Sequence, residues 1–375
     1  MVSMFFYGTL RHRPLLDLVL GDARHLSVTQ ARLPGHAVHW AADQSFPLIV
    51  RDPDGVADGL LVDGLQPEDT ARLDFYEGGF DYARLPVTVT TAQGARETTV
   101  FFPEAGRWPV GAPWSLADWQ RDWGAISLCA AEEVMGYYGQ FDAAQVAHWF
   151  PQIRVRAASR VLAQTGGPPM SVRQGFDADD VIGVARRRPY TKFFMLEEHD
   201  LRFRRFDGEM SPVVSWAAFV SGDAVSVLPY DPVRDRVLIV EQFRLGPFVR
   251  GDRRPWSLEP VAGRIDPGET PEATAHRESL EETGLALRRL ELVARYYPSP
   301  GAVSEYLHSY VGIADLPDDA EGIGGEAGEH EDIRSIVLPF EALMDLLASG
   351  EAENGPLILS AQWLAAHRSR LRGRA

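Results

Sequence analysis

The sequence predicts an α+β chain of at least two folding units, and three observations carry that prediction. With 375 residues, 45% of them hydrophobic, the chain is longer than one core comfortably serves. Residues 1–112 read as short β-branched and aromatic runs separated by turn signals. Residues 113–165 switch to helical spacing, and residues 166–375 mix strands and helices without regular alternation. The Gly/Pro cluster TGGPPMS (165–171) marks the main boundary.

In the first part, MFFYGTL is a strand closed by Gly8, FPLIV (46–50) a second strand, and RDPDG (51–55) a turn before DGLLVDGL. YARLPVTVTT (82–91) and ETTVFFP (97–103) flank AQGAR, which has the length and glycine of a hairpin loop, and PEDTARLDFYEG (67–78) is the clearest helix. In the second part, Leu116, Trp119, Trp123, Ile126, Ala130, Val134 and Tyr137 recur at helical spacing behind Ser115 as N-cap, predicting one amphipathic helix. FDAAQVAHWF and RAASRVLAQ predict two more. In the third, KFFMLEEHDLRFRRF, VVSWAAFVSG, AVSVLPYD and RVLIVEQFR read as strands with turns at HD, DG, GD and DPVRD. An acidic helix, a strand pair, an acidic Gly-rich loop and two helices complete the chain.

The formal net charge of −16 argues against nucleic acid and anionic membrane surfaces as partners. Cys129, the single cysteine, permits no internal disulfide and no paired-Cys metal site, which fits a reducing cytoplasm. Lys192 is the only lysine, and there is no phosphate-binding GxxxxGK[ST] loop. Arg11, His12 and Arg13 interrupt the apolar N-terminus before a signal or spanning segment forms, so none is expected to cross a membrane.

The stretch HRESLEETGL (276–285) packs three glutamates into five positions of a helix, where like charges at helical spacing cost stability. Thr270 as N-cap, Pro271 at the first position and Gly284 as C-terminal residue predict a helix over 271–283. Glu278 and Glu282, four apart, share a face, and Glu281 flanks it. Two readings fit: a solvated acidic face, or carboxylates converging on a hard divalent cation such as Mg2+.

The larger frame resembles the signature of the Nudix hydrolases. Gly263, Glu269, Arg277-Glu278, Glu281-Glu282 and Gly284-Leu285 stand at the family's spacing, with Ser279 where an aliphatic residue is usual. The likeness extends over about 185–370 and resembles the ADP-ribose pyrophosphatase branch, through AVSVLPYDPVRDRVLIVEQFR, WSLEPVAG and YYPSPG, with Pro300 15 residues past the signature. The resemblance implies an α/β/α sandwich in which the Ala262 carbonyl, Glu278, Glu282 and Glu331 coordinate Mg2+, with Mn2+ the alternative. It implies Glu329 as catalytic base, Glu281 as auxiliary, Arg277 as the group that holds the carboxylates, Arg244 as a substrate contact, and Glu305 as a residue that reaches substrate in a homodimer. The substrate implied is ADP-ribose or a close nucleoside diphosphate sugar, split to AMP and ribose 5-phosphate. Ser215-Trp216-Ala217 stands where relatives tend to carry Arg-Arg-Glu; Trp216 is either a stacking platform for adenine or a buried core residue.

Tyr7-Gly8-Thr9-Leu10, followed by Leu73-Asp74, Glu77-Gly78, Tyr82 and Arg84, resembles the γ-glutamylcyclotransferase-like domain over residues 4 to about 105. That implies a small β-rich barrel whose first loop holds a γ-glutamyl group on backbone amides, with Glu77 as acid/base. The alternative is that Tyr7 packs, Gly8 turns and Glu77 is a surface acid, leaving a ligand-binding or accessory domain. The two-domain order resembles bacterial tellurite-resistance proteins. The expected whole is a cytoplasmic Mg2+-dependent Nudix hydrolase. The rivals are a bifunctional enzyme with an active γ-glutamyl cyclotransferase and a non-catalytic ADP-ribose sensor.

Overall fold

The computed structural model describes residues 2–80, 82–104, 106–165, 167, 170–318, 320–325 and 331–373. It divides into two compact units, Met1–Pro168 and Pro169–Ala375.

The first unit is a barrel carrying a helical layer. Its elements are β1 (Val2–Phe6), α1 (Arg13–Leu20), β2 (Ser27–Ala41), β3 (Pro47–Leu65), α2 (Pro67–Glu77), β4 (Tyr82–Thr91), β5 (Gly94–Pro103) and β6 (Val110–Pro113), followed by α3 (Leu116–Asp122), α4 (Gly124–Met135) and α5 (Ala143–Gln164). The strand order β3-β1-β5-β4-β2 closes through a further β3–β2 pairing, and β6 extends β2. Strand alternation sorts the side chains of the first strand and the residue after it. Phe5 and Tyr7 join Leu61, Val89 and Val100 in one core, whereas Met4 and Phe6 join Leu15, Leu16, Leu73 and Trp119 in another that includes the helices.

Three expectations change in this unit. RDPDG is no turn between strands, because β3 runs through it. Val56 pairs with Pro34 and Arg51 with His36, so the turn-forming residues are absorbed as a bulge opposite Gly35, whose φ of +71° favours glycine. The single helix from 116 is two, α3 and α4, broken at Trp123, whose φ/ψ of −127°/−13° is non-helical. The two helices expected after 141 are one, α5, which continues through Pro151. A proline interrupts the hydrogen-bond ladder, yet burial of Val146, Ile153 and Ala157 holds both halves on one axis. Arg156 donates to Glu133 at 2.5 Å, fastening α5 to α4 through a buried ion pair.

The second unit contains β7 (Val181–Thr191), β8 (Met195–Phe203), β9 (Val214–Val220), β10 (Ala224–Asp231), β11 (Arg236–Phe243), α6 (Leu245–Arg250), β12 (Trp256–Glu259), β13 (Val261–Arg264), α7 (Pro271–Thr283), β14 (Arg289–Tyr296), β15 (Leu307–Ile313), β16 (Gly322–Gly324), β17 (Ile333–Pro339), α8 (Phe340–Ser349) and α9 (Gly355–Arg372). The main sheet runs β14-β15-β10-β11-β17-β16, with β13 on β10 and β12 on β11, and β10 parallel to β15. Leu228 and Tyr230 of β10 pack with Phe340, Leu343, Leu357 and Leu364 of α8 and α9. On the alternate face of β10, Val227 and Leu287 both lie against Gly312, and α7 packs on β10 and β13. β7, β8 and β9 form a separate three-stranded sheet, and the turn expected at His199-Asp200 lies inside β8.

Candidate active site

The acidic helix α7 begins and ends as its residues dictate. The Thr270 hydroxyl accepts from the Ala273 amide at 3.1 Å, Pro271 occupies the first turn, and Gly284 at φ +69° closes the end. Ser279, 0% exposed, donates to the Ala275 carbonyl at 2.8 Å, so its hydroxyl is satisfied within the helix and its small volume is part of the packing.

Arg277 organises the glutamates. Its Nε and Nη2 donate to the two oxygens of Glu269 at 3.0 Å each, and Nη1 donates to Glu278 and to Glu281 at 2.8 Å. Nη2 also donates to the Arg264 carbonyl at 3.1 Å, tying α7 to β13. This bidentate, planar recognition is what arginine offers and lysine does not. Gly263 allows the approach, since a Cβ there would stand 1.9 Å from the Glu278 carboxyl.

Glu282 is the least compensated acid of the group. It is 4% exposed, and its Oε2 has no hydrogen-bond partner among the described residues. Burial first, then the charges of Glu278 and Glu331, push its carboxyl up to about 8, against the pull of Arg244 and the Ala262 amide. Glu278 is pushed up to about 7 by burial, opposed by Arg277 and reinforced by Glu281 and Glu331. In an extended strand a residue's N–H and C=O point to the same side, so the Ala262 carbonyl faces the same region as its amide. Among the described residues no three His, Cys, Asp or Glu side chains are grouped closely enough to hold a metal ion, and one Glu278 oxygen is turned to Arg277. The donor chemistry still fits a hard cation, because the buried Glu282 and the half-buried Glu278 and Glu331 repel one another beside an unpartnered oxygen.

Glu329 lies outside the described residues. Glu331 is described and faces Glu278, Glu282 and Arg244 electrostatically. Gly324 lies against the end of α7, where a Cβ would meet the Glu282 carbonyl at 2.2 Å, and Gly325 lies against Glu331, where a Cβ would meet Glu331 Cβ at 2.8 Å. Arg244 grips Glu259 through Nε and Nη2 at 2.6–3.0 Å. Glu305, before β15, has its carboxyl raised by burial against the pull of Arg264 and Arg244. Pro300 sits in an exposed turn. Trp216 is no core residue: it is 57% exposed and stacks on Phe203 with centroids 5.5 Å apart. Sequence reasoning passed over Glu259 as the partner of Arg244 and Glu269 as the anchor of Arg277, although both stand in the quoted motifs.

The first unit holds a cavity of about 370 Å³. It is lined by Tyr7, Gly8, Thr9, Leu10, Glu77 and Tyr82, whereas Leu73, Asp74, Gly78 and Arg84 of the same motifs are not among its described lining residues. Burial pushes Glu77 up to about 7, and the same burial, with Tyr82 and Glu77 nearby, raises the Tyr7 phenol. Glu77 lines the cavity and its carboxyl is desolvated there. Asp74 pairs with Arg84, joining α2 to β4.

Helices on the central sheet and arginine-held glutamates on α7 give the second unit the architecture and the acidic cluster expected of the family named above. The chain belongs to the Nudix hydrolases: the NUDIX domain model matches residues 220–360. The model for gamma-glutamyl cyclotransferase, AIG2-like, matches residues 4–121. The chain is 39% identical over 197 residues to the ADP-ribose pyrophosphatase of Escherichia coli K12, covering 52% of this chain and 93% of that one. It is 33% identical over 152 residues to the GDP-mannose pyrophosphatase of Salmonella arizonae, covering 40% and 77%. A solved structure titled "Crystal structure of ADP compounds hydrolase" aligns at 21% identity and a TM-score of 0.38, covering 50% of this chain and 96% of that one.

Proposed function

We propose that the second unit hydrolyses the pyrophosphate of ADP-ribose, or of a close nucleoside diphosphate sugar, to AMP and ribose 5-phosphate, and that it does so with a divalent ion, Mg2+ or alternatively Mn2+. The observation that carries this reading is Glu282: a 4% exposed carboxylate with an unpartnered oxygen beside two further acids, an arrangement that a cation makes favourable. The 39% identity to an ADP-ribose pyrophosphatase supports the substrate, and the GDP-mannose pyrophosphatase likeness supports the wider class.

Glu278, Glu282, Glu331 and the Ala262 carbonyl would hold the ion. When bound it neutralises the diphosphate and lowers the pKa of water. Arg277 keeps Glu278 and Glu281 oriented through its hold on Glu269. Glu329 would accept the proton of the attacking water at a carboxylate oxygen. Arg244, held by Glu259, would contact an anionic or stacked part of the substrate, and the exposed face of Trp216 would suit a base. Incubation with ADP-ribose and Mg2+ tests this: AMP should appear, and Glu282→Gln should remove most of the rate. Undiminished turnover in that variant would remove Glu282 from the site.

For the first unit we propose a ligand site in the barrel cavity. An active γ-glutamyl cyclotransferase is the second reading, favoured by Glu77, which lines the cavity with its carboxyl raised to about 7, near the optimum for a proton shuttle at neutral pH.

A further inference from the structure

The cavity of the first unit has a wall that the barrel does not supply. Beside Tyr7 and Glu77 it is lined by Ile126 and Val134 of α4 and by Val146, Phe150 and Arg154 of α5. α5 is locked in place next to Glu77. A Cβ at Gly79 would lie 2.3 Å from Ala147 Cβ and 2.9 Å from the Ala143 carbonyl oxygen, so only glycine, two residues after Glu77, admits the helix. The buried Arg156–Glu133 pair then fixes α5 to α4. Both helices are therefore as much part of the cavity as β1 and α2 are.

The chemistry of this wall is selective. The helical residues facing the cavity are largely aliphatic or aromatic, and Phe46, Phe75 and Trp108 extend that surface. Among the described lining residues Glu77 is the only carboxylate and Arg154 the only basic side chain. A volume of about 370 Å³ falls in the range of about 300–1,000 Å³ found for small-molecule pockets. A bare γ-glutamyl group would leave the helical wall without a partner.

We infer that α4 and α5 form the specificity wall of the ligand site beside Glu77, and that the site takes a γ-glutamyl amide whose amine part is a bulky apolar amino acid. The inference rests on reading the first unit as a γ-glutamyl site. Ile126, Val134 and Phe150 receive the apolar side chain, and Arg154 complements the carboxylate of the same amino acid. The carboxyl of Glu77, which lines the same cavity, is raised by burial.

The test is isothermal titration of the full chain with two probes, γ-glutamyl-phenylalanine and γ-glutamyl-glycine. The phenylalanine conjugate is expected to bind at least about 10-fold more tightly, from burial of the ring. Phe150→Ala and Ile126→Ala are each expected to cut that preference several-fold and to leave the glycine conjugate within about twofold. If Phe150→Ala does not fold, as judged by its thermal melt, Ile126→Ala carries the comparison. Equal affinity for the two probes, or a preference untouched by the variants, would overturn the role of the wall and leave the γ-glutamyl reading standing. Absence of binding by both probes would overturn that reading and the inference with it.

Discussion

Replacing Glu282 with glutamine should make the metal-free protein more stable while disabling it. Glu282 is 4% exposed and its carboxyl is raised from 4.5 to about 8 by burial and by Glu278 and Glu331. At about 1.4 kcal/mol per pH unit, ionising it at pH 8 costs the folded state up to about 5 kcal/mol. Relaxation around the carboxylate recovers part of this, leaving about 2–3 kcal/mol for a neutral isostere to restore. The sign follows from linkage. The folded pKa lies above the unfolded one, so between about pH 4.5 and 8 the native protein holds a proton that the unfolded chain has released. The stabilisation is present in full below that window and is lost as pH rises through it. Thermal unfolding in EDTA at pH 5 and pH 8 reads the effect. Glu282→Gln should match wild type at pH 5 and melt about 4–12 °C higher at pH 8, taking about 2–4 °C per kcal/mol for a unit of this size. Adding Mg2+ should stabilise wild type and affect the variant much less. A variant that melts lower than wild type at pH 8 in EDTA would refute the reasoning, because Glu282 would then already be compensated without a cation.

Other outcomes follow from the same geometry. Gly263→Ala places a methyl 1.9 Å from the Glu278 carboxyl, so it should cost about 1–3 kcal/mol in thermal unfolding and lower kcat more than it raises KM. Retained activity would mean that β13 yields freely. Glu329→Gln should lower kcat by about 10²–10⁴ with KM little changed, and full activity would place the base elsewhere in the 326–332 loop. If the first unit releases 5-oxoproline, the rate should fall about tenfold per pH unit well below pH 7, because Glu77 must be ionised to accept a proton and its carboxyl titrates near 7. A rate flat from pH 5 to 8 would exclude Glu77 as the base.

What could be read in the sequence was local. The helix carrying the glutamates ends where Thr270, Pro271 and Gly284 place its ends, since caps depend on residues within a turn of the terminus. β10 and β11 stand out because burial of consecutive residues leaves an apolar run. The elements missed or misread in the sequence depend on tertiary context. β7 carries Arg186, Arg187 and Arg188, and its strand exists because β8 offers acids opposite, with Arg187 paired to Glu198 and Asp200. Pro151 and RDPDG carry breaker chemistry that packing overrides, in one place as a continuous helix and in the other as a bulge. α1 begins at the same Arg11-His12-Arg13 that interrupts the apolar N-terminus, and its helical face emerges only once Leu15, Leu16 and Val19 find the core. In the candidate site, spacing along one helix brings Glu278, Glu281 and Glu282 together. The hold of Glu269 on Arg277, of Glu259 on Arg244, and the closure of the barrel cavity by α4 and α5 arise from strands and helices meeting across the fold, which no periodicity encodes.

The central claim is that the second unit cleaves a nucleoside diphosphate sugar at its pyrophosphate, with the ion held at Glu278 and Glu282. The most direct measurement sets ADP-ribose beside a panel of nucleoside diphosphate compounds that includes GDP-mannose, at fixed Mg2+, and quantifies both products with and without EDTA. AMP and ribose 5-phosphate should form in equal amounts from ADP-ribose, faster than any product from the rest of the panel, and EDTA should abolish both. Turnover that persists in EDTA, or no cleavage of any member of the panel, would contradict it.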